Sequence, residues 1–366
     1  MAKIKANSGE ALFPILPAGP VGMARLAAKA EHADDGHLIE FKAMQARSIL
    51  NKSVSKRQMW MAYSINPYRG CEFGCKYCYA RYTHEFLLPV KASVAVPRMS
   101  EEQQPWALAF EREIYLKENA AWLLEQELKK IDPKEEIAIG TATDPYQPIE
   151  RRMGITRSIL EVFARQEGYR IGLITKSTLV ERDIDLLQEI ARKNLLRVHV
   201  TITTTDSKLA RLLEPRAPRP DLRFGAGKKL REAGIVTGVL CCPLLPGITD
   251  NDAALGAVAA KAKAAGASFL AAQPLFLKSC SRPTYLSFVR EHFPHLSTEY
   301  AKRFERMDFA DAAYKRQLAL MVKRVCHKHG LGERSTDALL TRDVGGEERK
   351  EPAGVRTDGA QRMLFA

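Results

Sequence analysis

The feature that most constrains this chain is an alternation. From about residue 113 to residue 272, short runs rich in β-branched residues recur between longer stretches of helical period. Strands separated by whole helices cannot pair as hairpins, so the pattern predicts a parallel sheet with helical crossovers. The predicted strands are Glu113 to Lys117, Ile137 to Gly140, Arg170 to Thr175, Arg197 to Thr203, Ile235 to Leu240 and Ala267 to Ala272. Helices are predicted from Asn119, as a cap, to Leu128, from Ile155 to Gln166, from Glu181 to Lys193, over a stretch ending at Gly234, and from Asp252 to Ala265. Crossovers of one hand close such units into an open doubly wound sheet or a full or partial barrel, and periodicity suits either.

The ends of the chain read differently. Residues 1–55 carry Pro14, Pro17, Gly19 and Pro20 with little sustained period, which predicts a loosely packed extension before a core over 56–285. Thr298 to Lys328 is purely helical and basic, which predicts an appendage of one or two helices within 286–343. Residues 344–366, with Gly345-Gly346 and Glu347-Glu348-Arg349-Lys350, are too polar to bury themselves and read as a disordered tail. No run approaches the roughly 18 apolar residues of a membrane span, and no apolar stretch follows Met-Ala-Lys-Ile-Lys as a signal peptide would need. A cytoplasmic protein without membrane contact is expected. The 56 Lys and Arg against 43 Asp and Glu give a net charge of +13, which favours a polyanion such as nucleic acid. The alternative is a charge dispersed over solvated helix faces.

Seven cysteines are an odd number, and the chain is too long to need disulfide staples. Cys71, Cys75 and Cys78 fall within eight residues and read as one metal site. Cys241, Cys242, Cys280 and Cys326 lie in apolar or helical contexts and read as buried thiols. The segment runs Asn66-Pro67-Tyr68-Arg69-Gly70-Cys71-Glu72-Phe73-Gly74-Cys75-Lys76-Tyr77-Cys78-Tyr79-Ala80, where Gly70 and Gly74 let a loop wrap with positive φ. Soft sulfur ligands select iron-sulfur, zinc or copper. Three local ligands suit a catalytic cluster with an open position; zinc would need His84 or a distant cysteine to close its shell.

This segment resembles the radical S-adenosylmethionine superfamily, with Tyr77 as the aromatic residue before the third cysteine and Met61 to Ile65 as the strand that precedes the motif. The resemblance spans roughly residues 56–285 and is closest to the spore photoproduct lyase-like branch. It implies an α/β fold built as a partial (β/α)6-type TIM barrel, the radical SAM core, with the helical C-terminal appendage. It implies a [4Fe-4S] cluster held by Cys71, Cys75 and Cys78, with S-adenosyl-L-methionine chelating the remaining iron. Reductive cleavage would then give a 5′-deoxyadenosyl radical, with flavodoxin or ferredoxin as the kind of electron donor implied.

In a barrel of this kind the carboxyl ends of the strands carry the cofactor contacts. Thr143 and Asp144 are candidates for the methionyl amine or the substrate, or else form a turn. Lys176, with Ser177, falls where the branch resembled here has a lysine near the cofactor carboxylate; the alternative is a surface lysine. Thr203 and Thr205 are candidates for ribose hydroxyls, with Asp206 as a helix cap. Arg216 is chosen for anion or cofactor binding within a basic patch of Arg211, Arg219, Arg223, Lys228, Lys229 and Arg231, a patch equally readable as a solvated face. The lip Pro243 to Asp250 resembles the segment that packs against adenine, and Tyr68, Tyr79, Tyr82 and His84 flank the cysteine loop. One departure stands out: spore photoproduct lyase has a cysteine hydrogen donor where this chain reads Gly140-Thr141-Ala142-Thr143-Asp144. Three readings of function follow: a radical enzyme acting on nucleic acid, a radical enzyme acting on a small molecule or peptide, and a zinc-stabilised nucleic-acid-binding protein without catalysis.

Overall fold

The computed structural model describes residues 38–52, 62–87, 104–305, 308 and 311–333. From Glu40 onward these belong to one compact unit. In chain order come β1 (Glu40–Met44), β2 (Leu50–Lys52), β3 (Tyr63–Ile65), β4 (Tyr68–Arg69), α1 (Pro105–Ala109), β5 (Glu113–Lys117), α2 (Ala120–Leu128) and β6 (Glu136–Ile139). They are followed by α3 (Glu150–Met153), α4 (Ile155–Ala164), β7 (Arg170–Thr175), α5 (Ile184–Lys193), β8 (Leu195–Thr201), α6 (Ser207–Leu213), α7 (Pro220–Glu232) and β9 (Thr237–Leu244). The last are α8 (Asp252–Ala264), β10 (Phe269–Pro274), α9 (Arg282–His292), α10 (Ser297–Phe304), α11 (Ala312–His329) and β11 (Gly332–Glu333).

Eight strands form the main sheet in the order β11-β10-β9-β8-β7-β6-β3-β2. Every neighbouring pair from β3 through β6 to β11 is parallel, and only β2 runs antiparallel, against β3. The edge strands β2 and β11 do not pair with each other, so the sheet stays open as a partial barrel. Alternation sorts the side chains. Val200 and Val239 turn towards Phe224 and Gly227 of α7, whereas Ile174, Leu240, Phe269 and Ala271 pack together on the opposite face, where His199 meets Phe269 at 5.2 Å. Helices cover the outer face through apolar stripes such as Ile155, Ile159, Leu160 and Phe163 of α4. Asp206 caps α6 by accepting from the Lys208 and Leu209 amides at 2.8 and 3.2 Å.

The structure departs from the sequence reading in four places. Glu113–Lys117 is a strand but lies outside the main sheet; it pairs with β1 and β4 in a separate three-stranded sheet. Residues of the expected loose extension supply β1 and β2, and the Glu127 carboxylate accepts from the Ile49 and Leu50 amides at 3.1 and 2.8 Å. Asn119 occupies the N-cap position of α2, yet its side chain bonds the backbone of Ala46 rather than the helix. The C-terminal helical region begins earlier than expected, at Arg282, and contains three α-helices before β11. These are long-range pairings, which local periodicity does not report. Residues 1–37 and the expected tail lie outside the described residues. No described helix is long and apolar enough to cross a membrane.

Gly238 on β9 faces the Phe269 ring so closely that a Cβ would overlap it. Gly238→Ala should therefore lower stability by about 1–3 kcal/mol through overpacking, measurable as a fall in the urea midpoint with an unchanged m-value.

Candidate active site

The cysteine loop leaves β4 at Arg69 and ends in the 3-10 helix Tyr79–Leu87. Gly70 has φ +90°, and a Cβ there would come within 2.7 Å of the Glu113 carbonyl and 2.9 Å of that of Phe110. Gly74 has φ +59° and lies directly beneath the side chains of Arg216 and Glu111, so a Cβ would overlap both. These two glycines let the loop turn tightly against its neighbours. Cys71 and Cys75 are buried and Cys78 is half-buried, in an apolar cluster with Phe73, Tyr77, Leu213, Leu245 and Leu275.

Strand ends hold this loop by hydrogen bonds from far along the chain. Asn66, just past β3, accepts from the Ala142 amide at 2.7 Å beyond the end of β6. Thr143 donates its hydroxyl to the Gly70 carbonyl at 2.6 Å, and Gln147 accepts from the Glu72 amide at 2.8 Å. The Glu72 carboxylate returns the contact by accepting from the Ile149 amide at 2.7 Å. The Cys71 amide donates to Phe110 and the Lys76 amide to Leu213. Tyr79 donates to the Thr141 carbonyl at 2.5 Å, and Ser281, at the start of α9, donates to the Cys78 carbonyl at 2.7 Å.

Charges of both signs crowd the same strand ends. Asp144 accepts from the Thr175 hydroxyl at 2.6 Å, the Lys176 amide at 2.7 Å and the Tyr146 amide at 2.9 Å. Burial raises its pKa against the pull of these donors. Lys176 stands 5.8 Å from the centre of the Tyr77 ring. Burial works against its charge, but Cys75, Glu214 and Asp144 more than offset this and its pKa is raised. Glu214 is buried, pairs with the buried Arg223 at 2.5 Å, and accepts from Thr203 at 3.3 Å and from the Tyr77 hydroxyl. Burial opposes the Glu214 charge too, but Arg223 and Lys176 outweigh it and lower its pKa. Burial pushes all three thiols up, Cys75 to about 12. Thiols in such a place ionise when a cationic group arrives to offset the desolvation.

That chemistry fits an iron-sulfur cluster held by three thiolates from one loop. A closed zinc site would need a fourth protein ligand beside them. His84, the residue considered for closing a zinc shell, points elsewhere: its Nε2 donates to the Glu113 carbonyl at 3.0 Å, and its ring packs between Phe110 and Tyr115.

Comparison with known proteins gives the family of the chain. The family profile described as the Radical SAM superfamily matches residues 65–255, more than half of the chain. The chain belongs to the radical SAM superfamily. An uncharacterized protein of Mycobacterium tuberculosis H37Rv is 30% identical over 294 residues, covering 80% of this chain and 82% of its own. An uncharacterized protein of Methanocaldococcus jannaschii is 30% identical over 194 residues, 53% of this chain and 64% of its own. Among solved structures, spore photoproduct lyase complexed with dinucleoside spore photoproduct superimposes with a TM-score of 0.55 at 14% identity, over 80% of each chain. At that identity the likeness is one of fold: an α/β radical SAM barrel with helices at its C-terminus.

Within the radical SAM barrel, Thr143, Asp144, Lys176 and Thr203 lie with the cysteine loop at the carboxyl ends of β6, β7 and β8. Ser177 is buried beside them and caps the following turn by accepting from the Leu179 amide at 3.2 Å. Thr205 is half-buried at the start of α6 and is not joined to this network by a described bond. Arg216 contacts the back of the loop, on Glu72 and Glu111. Sequence reasoning passed over Asn66, Glu72, Glu111, Gln147 and Glu214. Glu214 stood beside the chosen Arg216 and Gln147 within the strand-end segment, but nothing local marks a buried polar side chain such as Asn66, Glu72 or Gln147, with partners about 75 residues away, or Glu214, with Tyr77 137 residues away.

Burial lowers the His84 pKa to about 4, against the small upward pull of the Glu113 carbonyl. A histidine held neutral in the fold stabilises above its unfolded pKa of about 6.5 and withdraws that support as pH falls towards 4. Apo-protein stability should drop by up to about 3 kcal/mol across this window, and His84→Gln should flatten the slope between about pH 6.5 and pH 4 in urea titrations.

Proposed function

We propose that this protein is a radical enzyme that holds a [4Fe-4S] cluster on Cys71, Cys75 and Cys78 and cleaves S-adenosylmethionine reductively, with a flavodoxin- or ferredoxin-type protein as electron donor. The observation that carries this reading is the gathering of two buried thiols and one half-buried thiol with Lys176 and Asp144 at the carboxyl ends of parallel strands. When bound, the cluster supplies the electron that breaks a sulfonium carbon–sulfur bond and yields the 5′-deoxyadenosyl radical. The chain's own residues bind and orient. Lys176 offers a charge-assisted donor to a carboxylate. Asp144, held by three donors, offers an oriented acceptor for an ammonium group. Thr203 lies just past the end of β8 and Thr205 two residues before α6, each with a hydroxyl for such contacts. Leu245, Ile248 and Leu275 wall the site with apolar atoms, which exclude water from a reactive species. Anaerobic reconstitution with iron and sulfide, reduction by dithionite and addition of S-adenosylmethionine should release 5′-deoxyadenosine from wild type and none from Cys75→Ala. Zinc in place of iron, or nucleoside release without Cys75, would overturn the assignment.

For the substrate, the net charge of +13 and the fold shared with a lyase crystallised with a dinucleoside support a nucleic acid. A second reading, a small molecule or peptide, is supported by the fate of the basic patch. Arg223 pairs with Glu214, Arg219 with Asp221, Lys228 with Glu232 and Lys229 with Glu181. Arg211 and Arg231 donate to backbone carbonyls. Cations already paired release fewer counterions on binding a phosphate backbone. If nucleic acid is the substrate, oligonucleotide affinity falls steeply and linearly on a log–log salt plot; a flat, weak response favours the second reading.

A further inference from the structure

Three charged side chains from three separate parts of the chain meet behind the cysteine loop. Arg81 lies just beyond the third cysteine, Glu111 in the connection between α1 and β5, and Arg216 just past α6. Glu111 stands between the two guanidinium groups: one carboxylate oxygen is 3.4 Å from Arg81 and the other 2.9 Å from Arg216. The Arg81 side chain is fully buried, Glu111 is 5% exposed and Arg216 is 18% exposed. Each arginine also reaches the loop backbone. Arg81 donates to the Cys75 carbonyl at 3.3 Å and to the Ala107 carbonyl at 2.9 Å, and Arg216 donates through Nε to the Glu72 carbonyl. Gly74, between these two loop carbonyls, carries no side chain where Glu111 and Arg216 lie.

The arrangement has two consequences. Geometrically, the segment from Glu72 to Cys75 is gripped at both carbonyls by planar forks that share one counter-ion. This sets the backbone between the first two cysteines before anything binds them. Electrically, two cations and the Glu111 anion, with the Glu72 carboxylate close enough to Arg216 to feel its charge, lie in a dry place against that backbone, where charge is poorly screened.

We propose that Arg81, Glu111 and Arg216 are positioning residues for the iron-sulfur cluster, which pre-order the cysteine loop and set the potential of the bound cluster. The inference rests on the radical reading above and adds to it groups that orient the ligand loop without themselves touching the metal. It also gives Arg216 a role behind the loop instead of on an anion.

Three variants test it by cluster content and potential rather than turnover. Glu111→Gln removes the anion, so the potential should rise. Arg216→Gln removes a cation, so the potential should fall. Arg216→Lys keeps the charge without the fork, so its potential should stay near wild type while cluster retention drops. Glu111→Gln and Arg216→Gln should each lose cluster affinity, by roughly ten- to hundred-fold as outer-shell changes commonly do. The readouts are iron and sulfide per chain after anaerobic gel filtration and a redox titration followed by electron paramagnetic resonance. Loss of cluster with potentials moving in opposite directions supports the proposal, because a merely structural defect has no reason to reverse sign. Wild-type retention and potential in the variants, or shifts of one sign in both glutamine variants, overturn it. Should Glu111→Gln fail to fold, the two Arg216 variants decide on the same criteria: a lower potential in Arg216→Gln and a restored one in Arg216→Lys support the triad, and equal potentials overturn it. Wild type that takes up no iron and sulfide overturns the radical reading and the triad with it, whereas a wild-type cluster with unmoved variants overturns the triad alone.

Discussion

A loop that buries three thiols also buries its own peptide groups, and an unpaired buried peptide group costs about 1–3 kcal/mol. The rest of the structure follows from how that demand is met. Asn66, Thr143, Gln147 and Glu72 join the loop to the ends of β3 and β6, while Phe110, Leu213 and Ser281 supply partners from the region before β5, from α6 and from α9. None of these contacts is local. The site therefore exists only once the parallel sheet has brought its carboxyl ends together, and the same sheet places Asp144 and Lys176 beside the thiols.

Burial also explains the charges. Lys176, Glu214, Arg223 and Asp144 are costly to desolvate singly, and each leans on neighbours of opposite sign. Such networks contribute little net stability compared with an apolar core. Beside the cysteines they suit, on the proposed reading, the orientation of a charged ligand, because fixed dipoles and ions in a dry site need not reorganise when the ligand binds.

Much of this was legible in the linear chain. The strand Arg170–Thr175 appears where patterning put it, and Asp206 caps a helix, Ser207–Leu213, as read from the sequence, because period and capping are local. The spacing of Cys71, Cys75 and Cys78 with Tyr77 pointed to the radical SAM superfamily, in which the family profile places residues 65–255. Asp144 was singled out by its place at a strand end and Lys176 by the family resemblance as well, and both lie where the chain leaves its strand. The small sheet of β1, β5 and β4 was not, since β5 reads like any other strand and its partners lie about 45 and 73 residues away.

Period, turn chemistry and ligand spacing act over a few residues, so the sequence by itself determined the α/β alternation, the parallel sheet and the three-thiol loop. What tertiary structure decided was partnership. It turned Arg216 from a free-standing anion contact into a neighbour of Glu111 and Glu72, turned His84 away from the thiols towards Glu113, and neutralised most of the basic patch through Glu214, Asp221, Glu232 and Glu181. A charge reveals its type in the sequence, but its energy depends on burial and on the opposite charge beside it, and both are set only when distant segments pack.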